Sequence, residues 1–180
     1  MHVLDPQTLP AHTDRLYRAA WALCGSREEA EDLVQETFAK VLEKRRVVRG
    51  TSDLAYLLRG LNNTFISSRR AAGSRPQLSA VELEDAPAAV AARAHPETSA
   101  RVREIFAAIA GLPEEFRTAL VAVDVTGLSY AEAAAALGLK QSTLATRVFR
   151  ARTELIDRFE ERGSENMTGP RGLVENGGEA

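Results

Sequence analysis

The segment from Gly138 to Arg152 carries the side chains in this chain that are best suited to contact a nucleic acid. At about 100° per residue, a narrow apolar stripe on one side of the segment predicts its buried face. This stripe consists of Leu144, Val148, Ala151 and Leu155. The opposite side holds Ser142, Thr146, Phe149, Arg150 and Thr153, with Arg147 and Arg152 on its flanks. Four basic residues and no acidic one lie between Lys140 and Thr153.

These residue types match what a DNA groove offers. Arginine reads the edge of guanine, hydroxyls reach phosphates, and an aromatic surface meets thymine methyl groups. The segment therefore predicts a helix in the major groove. Its expected DNA-contacting residues are Lys140, Ser142, Thr143, Thr146, Arg147, Phe149 and Arg150. The alternative is an ordinary surface helix whose charges are only solvated, although an outward phenylalanine is poorly suited to water.

A short helix before this segment is expected to position it. Ser129 and Glu132 have the spacing of a capping box, with Ser129 as the N-cap. The alanine-rich helix that they open spans residues 130–137 and ends at Gly138, the residue type that a tight C-terminal turn requires. A short helix, a glycine turn and a longer basic helix together predict a helix-turn-helix.

Composition excludes several classes of protein. The 180 residues carry a formal net charge of −2, and Cys24 is the single cysteine, so neither an intrachain disulfide nor a cysteine metal cluster is possible. The three histidines are scattered, and we find no paired acid and base, nucleophile motif or phosphate loop. No apolar run approaches the roughly 20 residues of a membrane span, and no signal-peptide pattern is present. We therefore expect a cytoplasmic protein that is not an enzyme, binds no cofactor and does not insert into membranes.

Helical periodicity predominates along the rest of the chain, which predicts an all-α fold. The first helix is expected over residues 9–23, ending before Gly25, and the second from the capping box at Ser26 to about Arg45. A third helix should begin near Ser52 or Asp53. The expected core positions of the second and third helices are Ala30, Leu33, Val34, Thr37, Val41, Leu54, Leu57, Leu58, Leu61 and Phe65.

Charge divides this first unit in two. Its early part is acidic, through Glu28, Glu29, Glu31, Asp32 and Glu36, which the dipole at a helix N-terminus alone could explain. From Lys40 to Arg75, nine basic residues against two acidic ones leave a net charge of +7. Like charges at that density repel one another and indicate a polyanionic partner. The outer face of the third helix carries Tyr56, Arg59, Asn63, Ser67 and Arg70.

The composition changes after Arg75 and predicts a flexible acidic linker. Residues 76–98 combine three prolines, many alanines and a net charge of −3, which cannot build a core. A second helical unit follows, with helices expected over residues 99–110 and 114–125 before the helix-turn-helix. The expected organisation is an N-terminal domain over residues 1–75, a linker over 76–97, a C-terminal domain over 98–162 and a disordered tail over 163–180.

Several of these segments resemble bacterial RNA polymerase sigma factors of the extracytoplasmic-function group (ECF, group IV). Residues 31–38, EDLVQETF, resemble the signature helix of that group, and residues 112–117, LPEEFR, resemble the opening of its C-terminal domain. Residues 127–132, GLSYAE, and residues 143–155 resemble its promoter-reading helix-turn-helix. The resemblance covers about residues 10–162, in the family's order and spacing.

The resemblance implies a chain that binds RNA polymerase core and directs it to promoter DNA, while the polymerase performs the catalysis. It implies that Asp32, Gln35 and Glu36 bind the clamp of the largest subunit. It also implies that the first domain melts the −10 element, through Arg49, Ser52, Tyr56, Asn63, Ser67 and Arg70. The second domain would read the −35 element, and the linker would thread the RNA exit path.

Some residues depart from the family pattern. Tyr56 replaces the usual tryptophan, Ser67 a common aspartate, and Ala145 a usual basic residue of the recognition helix, so the −35 sequence is expected to differ from the commonest one. The resemblance also implies an anti-sigma factor that occludes the chain. Control by expression level or by the C-terminal tail is the alternative. A regulator with only the helix-turn-helix would leave the charged first domain unexplained, and an adaptor acting by protein contact alone would not need Phe149 and Arg150 outward.

Overall fold

Seven α-helices and one two-stranded ribbon lie in the described part of the computed structural model, which covers residues 2–4, 6–43, 47–48, 52–71 and 96–167. The helices are α1 (Leu9–Cys24), α2 (Arg27–Leu42), α3 (Asp53–Ala71), α4 (Pro96–Ala110), α5 (Glu114–Leu120), α6 (Tyr130–Leu137) and α7 (Gln141–Met167). A 3₁₀ turn at Pro6–Thr8 precedes α1, and a π-helical turn at Val121–Val125 follows α5. The strands β1 (His2–Val3) and β2 (Val47–Val48) pair antiparallel, with His2 opposite Val48. The all-α fold class is confirmed, with this short ribbon as its only addition in the described residues.

Local signals set several helix ends where the sequence predicts them. Gly25 follows α1 in the left-handed conformation at φ 87°, and Gly138 follows α6 at φ 66°. The Ser26 hydroxyl accepts a hydrogen bond from the Glu29 amide at the start of α2. Ser129 and Glu132 form both halves of the capping box of α6.

Four helix limits differ from the prediction. Helix α2 ends at Leu42 rather than near Arg45, and α4 begins at Pro96, inside the predicted linker. The predicted helix over residues 114–125 changes to a π turn after Leu120, where the Thr126 amide bonds the Val121 carbonyl, five residues back. The predicted disordered tail begins too early, because α7 continues to Met167. Residues 76–95 of the linker and 168–180 of the tail lie outside the described residues.

The predicted core stripes are buried. All ten predicted core positions of α2 and α3 are buried, and they pack with an apolar side of α1 that includes Leu16, Trp21 and Leu23. In the second unit, Leu144, Val148 and Ala151 of α7 are fully buried, while Leu155 is partly buried. Arg158 of α7 donates to the carbonyls of Ala108 and Gly111 at the end of α4. The apolar faces thus build the core that the helical periodicity predicts.

The two helical units pack directly against each other, which the sequence does not predict. Helix α1 contacts α4, α5 and the π turn, and α3 contacts α6. The indole of Trp21 stacks on the ring of Phe106, with centroids 4.5 Å apart and planes 13° from parallel. The core is therefore continuous from the first unit to the second.

Candidate nucleic-acid interface

The outer face of α7 exposes most of the residues that the sequence predicts to contact DNA. The side chain of Phe149 is 70% exposed although it lies in the middle of a packed helix. The predicted contact residues Lys140, Ser142, Thr143, Thr146 and Arg150 are exposed as well. The Thr146 hydroxyl donates to the Ser142 carbonyl at 3.1 Å, which leaves its oxygen lone pairs toward solvent. The structure brings these five residues onto one surface together with Phe149.

Two arginines beside this face are held by carboxylates of the same unit. The Arg147 guanidinium lies 3.0 Å from the Glu115 carboxylate, and its side chain is only 28% exposed. The Arg152 guanidinium makes two hydrogen bonds to Asp124, of 2.9 Å and 2.6 Å, and this carboxylate raises the pKa of Arg152 further above its ordinary value. The predicted DNA contact Arg147 is therefore engaged within the protein. Sequence reasoning did not find Glu115 and Asp124, because both lie outside the helix that they contact.

A groove between α2 and α3 forms the polar surface of the first unit. It has a volume of about 500 Å³ and is lined by Thr37, Lys40, Val41, Tyr56, Arg59, Gly60, Asn63, Thr64 and Ser67. At Gly60, a Cβ atom would lie 3.4 Å from methyl groups of Thr37 and Val41, at the short end of ordinary van der Waals contact, so the two helices pack closely here. The structure thus places three predicted residues, Tyr56, Asn63 and Ser67, in one groove. It adds the cations Lys40 and Arg59, which were not among the residues predicted to contact the −10 element.

The other predicted −10 residues have different surroundings. Arg70 is exposed near the end of α3 and does not line the groove. The Ser52 hydroxyl accepts from the Ala55 amide at the start of α3. The hydrogen bonds from Ser129 have the largest effect in lowering the pKa of the Glu132 carboxyl in α6, and the Ser52 hydroxyl adds to this effect. Arg49 lies outside the described residues.

The outer face of α2 carries the predicted polymerase-binding residues. Asp32, Gln35 and Glu36 are all exposed. Glu36 pairs with Lys40 at 2.6 Å, one helical turn away, and Arg27 pairs with Glu31 at 3.0 Å. Since the core side of α2 is occupied by other residues, the acidic face is available to a partner and contributes little to the packing of the unit.

A buried arginine joins the two units. Arg117 of α5 is only 6% exposed, and its Nη1 donates to the Leu23 carbonyl at 2.7 Å and to the Ala110 carbonyl at 2.8 Å. Its guanidinium carbon lies 5.5 Å from the ring centroid of Phe65. Burial lowers the pKa of Arg117 from its ordinary value. The signal in the sequence is a cation on the same helical side as Leu120 and Val121, and sequence reasoning missed it.

Further contacts surround this arginine. Arg69 of α3 also lies over the Phe65 ring, 5.7 Å from its centroid, and 4.0 Å from the carboxylate of Glu114. Cys24, at the end of α1, is partly buried beside them, and burial raises the pKa of its thiol to about 12. In the described residues, no helix is long and apolar enough to cross a membrane, and no group of acidic, histidine or cysteine side chains could hold a metal ion.

Comparison with family models identifies both units. Residues 10–75 match Sigma-70 region 2, and residues 102–155 match Sigma-70 region 4. The groove and the acidic face of α2 fall in the first match, and the exposed face of α7 falls in the second.

Proteins that are similar to this chain across both units agree with these matches. The chain is 37% identical over 158 residues to the ECF RNA polymerase sigma factor SigE of Mycolicibacterium smegmatis, covering 86% of this chain but only 61% of that protein. It is 35% identical to the ECF RNA polymerase sigma factor EcfG of Rhodopseudomonas palustris, covering 76% of this chain and 74% of that protein. It is 36% identical to the ECF RNA polymerase sigma-E factor of Escherichia coli K12, covering 72% of each.

Two solved structures share the fold. The sigma factor RpoE of Bartonella quintana, solved in complex with the anti-sigma factor NepR, superposes with a TM-score of 0.71 at 28% identity, covering 86% of this chain and 95% of that one. CnrH, solved in complex with the cytosolic domain of CnrY, superposes with a TM-score of 0.62 at 25% identity, covering 86% of each chain.

Proposed function

The chain belongs to the ECF family of bacterial RNA polymerase sigma factors, alternative sigma factors that direct promoter recognition and transcription initiation, and we propose that its two exposed polar surfaces divide promoter recognition between them. The C-terminal helix-turn-helix reads the −35 element in the major groove, and the N-terminal unit melts and holds the −10 element. The observation that carries this proposal is Phe149, 70% exposed beside Arg150 on a helix whose other side is fully buried. Such a side chain is costly in water and useful against thymine methyl groups.

The groove of the N-terminal unit supports the −10 assignment. Tyr56 offers an aromatic face on which an unstacked base can lie, and Asn63 offers an amide donor and acceptor for its edge. Lys40 and Arg59 at the same groove supply positive charge for the phosphates. We assign Arg49, Ser52, Ser67 and Arg70 to the same element, on the family resemblance alone.

Core polymerase binds the acidic face of α2 in this proposal. The exposed carboxylates of Asp32 and Glu36, with Gln35 between them, suit a basic surface such as the clamp of the largest subunit. Since core polymerase is in the cytoplasm, we infer that the chain acts there.

An anti-sigma factor is the second partner that we propose. The similar sigma factor RpoE of Bartonella quintana was solved in complex with the anti-sigma factor NepR, and CnrH was solved in complex with the cytosolic domain of CnrY. The packing of α1 and α3 against α4–α6 brings the two units together, so that one small partner could cover both. A pull-down from the native host should recover a small helical protein in one-to-one ratio with the pool of this chain that is not bound to polymerase. Recovery of core polymerase alone, with transcription unchanged after deletion of the neighbouring gene, would contradict occlusion.

Transcription with purified components tests the main proposal. The full chain added to core polymerase should start transcripts at one position of its own promoter, whereas core polymerase alone should not. The double variant Asp32→Arg, Glu36→Arg should keep its helical content and melting temperature, because both side chains are exposed, and should lose capture by core polymerase. If its melting temperature instead collapses, these carboxylates serve the stability of the domain through the helix dipole.

A further inference from the structure

The exposed side of α7, its reading face, consists of Ser142, Thr146, Phe149, Arg150 and Thr153. Two acidic residues hold the two arginines that flank this face. We infer that Glu115 and Asp124 are positioning residues for promoter recognition: they hold Arg147 and Arg152 against the protein and leave Arg150 of α7 and Lys140, which directly precedes α7, as the basic groups that contact DNA. This inference rests on the proposed reading of the −35 element. It also changes the predicted contact set, because Arg147 is assigned to support the helix and not to read DNA.

The ion pair between Arg152 and Asp124 has bidentate geometry. Nε donates to Oδ2 at 2.9 Å and Nη2 donates to Oδ1 at 2.6 Å, so that both carboxylate oxygens are engaged by one edge of the guanidinium. A bidentate pair of this kind restricts orientation as well as distance. Asp124 lies in the π turn, 28 residues before Arg152, so the pair ties α7 to the element that precedes the helix-turn-helix.

The second pair braces the other side of the helix. Arg147 meets Glu115 of α5 at 3.0 Å. At about 100° per residue, Arg147 and Arg152 lie roughly 70° on either side of the buried stripe, with the reading face between them on the outside. Rotation of α7 by about 20° would move an atom at its outer edge by about 2 Å, enough to break a hydrogen bond to a base. Two pairs on opposite flanks oppose rotation in both directions.

The pairs also limit the charge that DNA meets. Of the four basic residues between Lys140 and Thr153, the two in these pairs are neutralised by a neighbouring carboxylate, whereas Lys140 and Arg150 have no ion-pair partner among the described residues. Phosphate contacts add affinity for every sequence alike, but base contacts distinguish between sequences. Withholding two cations from the phosphates therefore favours discrimination over affinity.

Reversal of the Arg152–Asp124 pair tests whether Arg152 acts through the protein or on the DNA. The full chain would first select duplexes from a randomised pool, and the variants would then be compared on the selected duplex and a scrambled one. We expect Arg152→Asp to lower the ratio of the two affinities at least tenfold, and the double variant Arg152→Asp, Asp124→Arg to restore it to within about threefold of the parent. A double variant that stays as poor as Arg152→Asp would overturn the inference, since it would mean that Arg152 itself contacts DNA.

Release of Arg147 tests the second pair. Glu115→Gln should strengthen binding to scrambled DNA and make the slope of log affinity against log salt steeper by about one unit, because one more cation reaches a phosphate. The matched control is Asp157→Asn, which removes one exposed carboxylate from α7 itself. Equal effects of the two variants would overturn the inference. A parent chain that selects no sequence would overturn the proposed −35 reading, a result distinct from failed rescue in a parent that does select.

Discussion

The reading face of α7 and the contact between the two units are built from the same two residue types in opposite surroundings. On α7, Phe149 and Arg150 are adjacent and exposed. In the contact, Arg117 lies over the ring of Phe65, and both are buried. The exposed pair leaves its hydrogen-bond donors for a ligand, whereas the buried pair has two carbonyls within its own chain. Burial, and not residue type, thus decides which arginine binds a partner and which one holds the protein together.

The buried arginine is placed where a cation is tolerated. Its two acceptors, the carbonyls of Leu23 and Ala110, lie in the last turns of α1 and α4, where the helix dipole is negative. The ring face of Phe65 adds a further favourable contact. These interactions offset part of the desolvation of the guanidinium, whose buried Nε has no hydrogen-bond partner among the described residues. They also join a helix of each unit through one side chain.

Three substitutions test the contrast between these two regions, and the removal of Arg117 should have the largest effect of the three. Arg117→Ala leaves two helix-end carbonyls without their donor and opens a cavity under Phe65, so we expect a loss of about 3 kcal/mol in the free energy of unfolding. Urea denaturation of the full chain measures it. Cys24 provides a local readout at pH 8, because its thiol, with a pKa of about 12, should react slowly in the parent and at least tenfold faster in the variant.

Two outcomes would contradict the stabilising role of this buried arginine. An unchanged free energy of unfolding for Arg117→Ala would mean that the contact contributes nothing to stability. A Cys24 thiol that reacts equally fast in parent and variant would mean that the surroundings of α1 do not depend on this arginine.

Loss of the Arg150 side chain should have a smaller effect, and this effect should be confined to DNA binding. If Arg150 donates two hydrogen bonds to a guanine, Arg150→Ala should weaken the free energy of DNA binding by about 2 kcal/mol and relax the base preference at one −35 position. Its free energy of unfolding should stay within about 0.5 kcal/mol of the parent, since the side chain is exposed. Lys140→Ala is the matched control, assigned to phosphate, and should weaken all sequences alike and flatten the salt slope by about one unit. Equal losses on every sequence for Arg150→Ala would remove the guanine assignment.

The smallest expected effect concerns the capping box between these regions. Hydrogen bonds from the Ser129 hydroxyl and amide, and then from Ser52, lower the pKa of Glu132. A carboxyl whose pKa is lowered by folding stabilises the protein above its ordinary pKa, and this contribution is lost as the pH falls through the folded value. Glu132→Gln should cost about 0.5–1 kcal/mol at pH 7 and less at pH 4, measured by urea denaturation. An equal difference at both pH values would show that the charge of Glu132 contributes nothing.

Much of the candidate site follows from the sequence because it depends on short-range periodicity. The outward position of Phe149 follows from the apolar stripe of Leu144, Val148 and Ala151, and the groove residues Tyr56 and Asn63 follow from the spacing of leucines along α3. Arg147 shows the limit of this reasoning. Its angle on the helix places it beside the reading face, but only the position of Glu115 determines that it pairs within the protein.

The sequence by itself determined the helices, the helix ends that carry a capping residue or a left-handed glycine, and the buried faces, because these signals and the apolar spacing act over a few residues. Only the tertiary structure decided that the two units close on each other. That contact depends on Arg117 reaching the Leu23 carbonyl, 94 residues away, and on Trp21 stacking on Phe106. Pairings at such distance along the chain leave no periodic signal, since any exposed cation or aromatic residue could have made them. Packing selects these pairs, because only side chains that fit together can be removed from water together.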